Sequence, residues 1–452
     1  MEKILIRGGI SPIDSFNPSK IIARNLFGSN VGNLIYQFGV FRTLATENIQ
    51  AIPDNYSIER GLMTNQDIAK INKNYDAYVC PLADAMRRGF TDKLDLYVKF
   101  VEKLDIPFVV AGIGLRTNIR DDGTKNFSFD ENVANFIRAV NENGNIVGLR
   151  GNTTGNYLSN LGFKKNKDFM VIGCPSMFSY GTHVKIQEKE INKNSLISIN
   201  SSFKARKPTL KFISNLFEQY PNHYFIPQWL RELKLTYLGV DMKVRNETKR
   251  EFYPTRLGSS EYQNNNVRFP VDAYGWISLL ETVDFSFGTR LHGNIAATIA
   301  GTPNIIVVKD GRMKDVVDYH ELTNIRTKQL RKYDSLEKVI ESVDFHSTEK
   351  NHEKRFKNYL NFWEKNNIQT IYDDDFYRKD SPIDKKIKLS SKMPVETISN
   401  LSQIDINMRL KEYRNERKKW RIEKIQRLKK INFYIKAPSI IKKKIYKFVK
   451  NL

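Results

Sequence analysis

Asp284-Phe-Ser-Phe-Gly-Thr-Arg290-Leu-His292-Gly-Asn294, continuing through Ile295-Ala-Ala-Thr-Ile-Ala-Gly301-Thr-Pro303, reads as a buried strand, a small-residue turn and a helix opening at Gly293 or Asn294. An apolar run without alternation suits a parallel strand covered on both faces. Its end delivers Arg290 and His292 to the mouth of the sheet. Two apart in an extended turn, they project to one side, and the free N–H groups of the new helix point the same way. That is an anion site holding a proton donor. Singly, Arg290 reads as a helix cap and His292 as a core histidine. As a pair at the top of a buried strand they favour a ligand.

Working outward, similar runs recur at residues 77–79, 107–111, 146–149, 170–172, 196–199, 224–226 and 305–308, and residues 1–9 read as a first strand entering a glycine turn. Helical periods lie between them, near 33–45, 93–104, 130–142, 152–161, 207–219, 272–282 and 293–300. Such alternation means α/β with mostly parallel sheets. The polar stretch 183–194 is a linker, dividing the core into Rossmann-like halves, 1–183 and 195–345. Residues 346–380 are polar and aromatic and are expected to pack back on the first half. A basic tail is expected over 381–452. Two facing halves place a ligand cleft at the strand C-termini.

Further candidates sit at other strand ends. Arg150, in Ile146-Val-Gly-Leu-Arg150-Gly-Asn152-Thr153, reaches a tight turn where Asn152 or Thr153 can cap the next helix. With Arg290 it could close on one dianion from two sides; alone it reads equally as a surface ion-pair partner. The glycine-containing turn Asn30-Val-Gly32-Asn33 opens a helix and resembles a phosphate or sugar loop. It lacks the dinucleotide fingerprint, and Gly112-Ile-Gly114 is a lone G-x-G. Neither supports a dehydrogenase. Six scattered histidines and two cysteines, Cys80 and Cys174, offer no zinc spacing and no disulfide framework. No metal or cofactor is implied.

Strand, Arg290-Leu-His292-Gly293, helix, Gly301-Thr-Pro303, strand resembles the signature of the polysaccharide pyruvyl transferase family. Other landmarks fall in family order: Asn30-x-Gly32-Asn33, Gly112-Ile-Gly114, the strand ending at Arg150, Gly173-Cys-Pro175 and Ile226-Pro-Gln228. The resemblance spans roughly residues 20–325. It implies a GT-B-like fold and transfer of pyruvate from phosphoenolpyruvate, as co-substrate, onto a sugar diol as a cyclic ketal. It further implies that Arg150 and Arg290 hold the donor, with Asn294 beside them, and that His292 is the acid. Asn30, Gly32, Asn33 and Lys314, which follows the last strand, are the candidate loop contacts to donor or acceptor. The residue types suit the chemistry, because a phosphate and a carboxylate on a three-carbon frame need several fixed cations.

Charge sets the rest. The chain has 452 residues and a net charge of +23, and residues 401–452 alone hold 17 basic and 4 acidic side chains. The last turns place Ile440, Ile441, Ile445, Phe448, Val449 and Leu452 on one face, with Lys442, Lys443, Lys444, Lys447 and Lys450 around the rest. An anionic membrane surface met through 431–452 is the expected partner; nucleic acid and a merely solvated or protein-docking helix are the rivals. No stretch reads as a signal peptide or a membrane span. The expectation is therefore a cytoplasmic enzyme, peripheral on the inner face of the cell membrane, acting on a lipid-linked surface glycan. A nucleotide-sugar glycosyltransferase of the same fold and a non-catalytic scaffold of a glycan assembly complex are the alternatives.

Overall fold

The computed structural model describes residues 1–244 and 247–434. The first sheet is parallel, with β1 (Glu2–Ile6) between β2 (Ile49–Pro53) and β3 (Ala77–Pro81), then β4 (Phe108–Ala111). The parallel pair β5 (Val147–Leu149) and β6 (Phe169–Val171) continues it through a bridge from Ile113 to Leu149. The second sheet, also parallel, consists of β7 (Ile197–Asn200), β8 (His223–Phe225), β9 (Phe285–Gly288), β10 (Asn304–Val308) and β11 (Asn324–Arg326), in the order β11-β10-β9-β7-β8. β3, β4, β7, β9 and β10 are buried along their whole lengths, which is why they read as plain apolar runs. The edge strands β2 and β11 were not legible. β2 is only partly covered, and in β11 Ile325 alone is buried.

Strand order reverses between β1 and β3 in one sheet and between β7 and β9 in the other. Open parallel sheets bind ligands at such switch points, beyond the strand C-termini. Arg7 and Leu82 follow the first switch, Ser202 and Thr289 the second, and all four line one cleft between the halves. This is the two-domain, GT-B-like arrangement.

Eight helices fix the site: α1 (Pro18–Arg24), α2 (Gly32–Leu44), α3 (Asn152–Asn160), α4 (Leu230–Leu238), α5 (Leu291–Ile299), α6 (Gly311–His320), α7 (His352–Lys365) and α8 (Gln403–Tyr434). α7 lies on the first sheet. Its Phe356, Tyr359, Phe362 and Trp363 are buried against Ile4, Ile6, Val79 and Val109. The region following 381 departs from the free basic tail expected there. Asp384 accepts two bonds from Arg42, at 2.8 and 2.7 Å. Ile387 and Ile398 are buried, and Val395–Glu396 pairs antiparallel with Arg268–Phe269. α8 then runs along α1 and reaches α4, with Leu410 and Tyr413 on the core and Trp420 facing the Arg24 and Arg60 guanidinium groups, each 5.3 Å from its ring. Inward residues spaced a turn apart among lysines read as solvated, so the sequence concealed this docking. The amphipathic face expected over 431–452 lies, but for the backbone of 431–434, outside the described residues. No helix among the described residues is long and apolar enough to cross a membrane.

Candidate active site

The wall contributed by the second half is built on Asn200, at the end of β7. Its Oδ1 accepts from Arg290 N at 2.8 Å, and its Nδ2 donates to Asn294 Oδ1 at 3.1 Å. Gly288 is required here, since a Cβ would lie 1.8 Å from Asn200 O. Asn294 Nδ2 donates to the carbonyls of Gly288 and Arg290. Wholly buried, Asn294 holds the turn and does not reach the cleft, so its expected donor contact is corrected to a positioning role. The helix also begins earlier than expected. Arg290 is its extended flanking residue and His292 already lies in the first turn.

Arg290 crosses between the halves. Its Nη2 donates to Asn30 Oδ1 at 3.0 Å, its Nε to Gln228 Oε1 at 3.2 Å, and its face rests 4.7 Å from the Trp229 ring centre. Beside it Gln228 Nε2, Trp229 Nε1 and Thr289 Oγ1 are buried, line the cleft and have no partner. All three are donors, so this wall offers N–H and O–H groups to an oxygen-rich ligand.

His292 meets the first half. Arg150 Nη2 stands 3.0 Å from His292 Nε2 and 3.3 Å from Cys174 Sγ, with its guanidinium 4.7 Å from the Tyr36 ring centre. A guanidinium only donates, so Nε2 accepts and the neutral ring carries its proton on Nδ1. Burial first, then the charges of Arg150, Arg312 and Arg290, hold the imidazole well below its usual range. Arg150 is 1% exposed, leaves Nε and Nη1 unpartnered, and sits behind His292 rather than in the cleft. It cannot close on a ligand as Arg290 does while His292 takes its Nη2. The N-terminus of α3 is also occupied. Asp315 of α6 accepts from Thr153 N at 2.7 Å, Thr154 N at 3.2 Å and Thr154 Oγ1 at 2.6 Å, replacing the cap expected from Asn152 or Thr153.

The cleft has a volume of about 630 Å³ and carries eight cationic side chains against three carboxylates, those of Glu59, Asp84 and Asp310. Arg116, Arg87 and Arg312 gather round Asp84, the last from the opposite half at 3.6 Å. Arg7 donates to Glu59 at 2.6 Å at the foot of the first half's wall. Burial, then Arg290 and Arg312, bring Lys309 down to about 7. A site this rich in cations attracts a polyanion.

Of the expected loop residues, Asn30 and Asn33 line the cleft. Gly32 lies under His292, where a Cβ would come 2.9 Å from Nδ1. Lys314 does not reach the cleft; it pairs with Asp318 at 2.6 Å on the outer side of α6. Lys309 and Arg312 stand where Lys314 was expected. Their signal was available, because both directly follow β10, whose end faces the cleft. Arg7, Glu59, Asp84 and Lys204 were missed because no motif surrounds them. His320 is structural: Cys174 N donates to its Nε2 at 2.7 Å, and Phe178 packs against it.

Residues 14–310 match the family described as polysaccharide pyruvyl transferase. No curated protein matches the chain in sequence. Among solved structures, S. aureus MnaA with UDP is 12% identical, with TM-score 0.42, over 80% of this chain and 97% of that one. The UDP-GlcNAc 2-epimerase of Methanocaldococcus jannaschii in complex with UDP-GlcNAc and UDP is 13% identical, with TM-score 0.39, over 80% and 99%. Sucrose-phosphate synthase from Thermosynechococcus elongatus is 12% identical, with TM-score 0.39, over 81% and 96%.

Proposed function

The chain belongs to the polysaccharide pyruvyl transferase family, and from that membership we propose that it moves pyruvate from phosphoenolpyruvate onto a sugar of a lipid-linked bacterial surface glycan, forming a ketal. The observation that carries this reading is the cleft itself, where Arg290 is one of eight basic side chains and His292 stands among them with three carboxylates and three unpartnered donors. Phosphoenolpyruvate is a small anion whose phosphate and carboxylate need fixed cations, and bidentate arginine suits both groups.

The chemistry begins with a proton. His292 is neutral, held so by burial and three arginines. A donor anion bound beside Arg290 and Arg312 offsets that repulsion and raises the imidazole towards protonation. Protonation at Nε2 removes the acceptor that Arg150 now uses, so Arg150 is released to turn towards the donor. The imidazolium then protonates the methylene carbon while a sugar hydroxyl attacks C2. The C2–O bond to phosphate breaks and the second hydroxyl closes the ketal. Of the two hydroxyl protons, one returns to His292 and one leaves with phosphate. The scheme calls on no metal or cofactor. The acceptor is held at the bilayer, and the enzyme works as a peripheral protein on the cytoplasmic face of the cell membrane, with 431–452 as one attachment and nucleic acid playing no part.

Calorimetric titration tests the donor. Phosphoenolpyruvate should bind, and Arg290→Lys should weaken it by about tenfold or more despite unchanged charge, because the fork that meets Asn30, Gln228 and the anion together is lost. Binding of a nucleoside-diphosphate sugar with no binding of phosphoenolpyruvate would replace this reading with a glycosyltransferase.

A further inference from the structure

The charges of α8 are sorted by side. Its carboxylates, Asp405, Glu412, Glu416 and Glu423, are seven, four and seven residues apart and so share one flank of the helix. That flank runs along the edge of the helix beside α1, with Glu412 and Glu423 exposed and each carboxylate engaged. Glu412 accepts from Asn17 at 2.8 Å, Glu423 accepts two bonds from Arg24 at 2.7 and 2.8 Å, and Glu416 lies 3.6 Å from Arg24. Asp405 is taken by the hydroxyl of Ser402 at 2.6 Å.

The side turned to solvent carries Ile404, Met408, Lys411, Lys418, Ile422 and Lys429, with the carboxylates along one edge of it. Ile404, Met408 and Ile422 are 72%, 52% and 48% exposed. Just before α8, Leu389 and Met393 are exposed among lysines. Of the nine large apolar side chains exposed among the described residues, five lie between 389 and 422 in the chain, three of them along the solvent side of α8. Lysine mixed with isolated isoleucine and methionine matches an anionic interface with an apolar interior beneath it. A single-stranded nucleic acid would instead use exposed aromatic rings, and Tyr413 and Trp420 are turned inward, while a duplex would leave Ile404, Met408 and Ile422 without a role.

We propose that the outer face of α8, residues 404–429, is a docking surface for an anionic lipid bilayer. The inference rests on the peripheral location proposed above and not on the chemistry in the cleft. α8 contacts α1 in the first half and α4 in the second, so the surface is anchored to both halves. A bilayer held there is held at a constant attitude to the site.

Co-sedimentation of the full chain with phosphatidylcholine vesicles, with and without phosphatidylglycerol, tests this. The parent should sediment only with the anionic vesicles. Lys411→Glu, Lys418→Glu and Lys429→Glu together should raise the lipid needed for half-binding by about tenfold or more, at unchanged melting temperature and phosphoenolpyruvate affinity. Ile404→Ser with Ile422→Ser should weaken binding even where the charges are kept. If both variants sediment as the parent does, the α8 face is not a lipid surface while the peripheral reading stands. If the parent binds no vesicles, both fall. Tighter binding of a short DNA duplex than of anionic vesicles, lost in the lysine variant, would overturn the proposal in favour of nucleic acid.

Discussion

In the proposed mechanism His292, held neutral by burial and its neighbouring arginines, becomes an acid once the donor anion binds, so its replacement should separate binding from turnover. His292→Gln keeps an oxygen that can accept from Arg150 and loses the proton. Turnover should fall by about 10²–10⁴-fold with phosphoenolpyruvate affinity little changed, read from single-turnover rates and calorimetry on one preparation. A stable variant turning over at the parent rate would remove His292 from the mechanism. Arg150 tests the same idea from behind. Its charge is the second cause, after burial, of the depressed imidazole, so Arg150→Gln should raise the His292 pKa in the ligand-free protein. NMR titration of the ring measures this; an unchanged midpoint would show that Arg150 does not govern the proton. The pair Arg290 and His292 was legible because both stand at one strand end. The partnership of His292 with Arg150 was not, since it joins residues from different halves.

At the scale of elements, the strands beneath the cleft were readable because burial on both faces leaves no alternation to confuse. β2 and β11, at the edges, lack that signature. The joints between elements were least legible, and Asp315 shows why. Nothing near it announces a cap, because the helix it caps, α3, lies 161 residues earlier in the chain. Asp315→Ala removes three bonds from buried or half-buried donors and leaves Thr153 N and Thr154 N without partners. It should cost about 2 kcal/mol in urea denaturation and weaken catalysis as well, through the Arg150–Gly151 turn that α3 anchors. Gly151 is bound into the same joint, since a Cβ there would lie 2.3 Å from Asp315 Oδ1. Loss of stability with turnover intact would mean that the turn does not depend on its cap.

Across the whole molecule, four buried histidines, His223, His292, His320 and His352, have their pKa values lowered chiefly by burial, and His352 is brought down to about 4. A histidine with a depressed folded pKa binds its proton more readily in the unfolded chain, so stability falls as pH drops below the ordinary value. For His352 the loss should reach roughly 2 kcal/mol by about pH 5 and vanish above about pH 7. Melting temperatures of the parent and of His352→Gln over that range isolate the effect. The variant should show a shallower fall, and parallel curves would assign the slope to other groups.

α7 has a consequence for synthesis. The first sheet contains residues 2–111, yet the aromatic layer that seals one of its faces is Phe356, Tyr359, Phe362 and Trp363. At about 5–20 residues per second, roughly 20–70 s separate the emergence of Ile6 from that of Trp363. For all that time Ile4, Val79 and Val109 have no α7 to cover them, while the second half is being made. The nascent chain therefore presents an apolar sheet face to solvent well before it can bury it, the kind of surface that holdase chaperones bind.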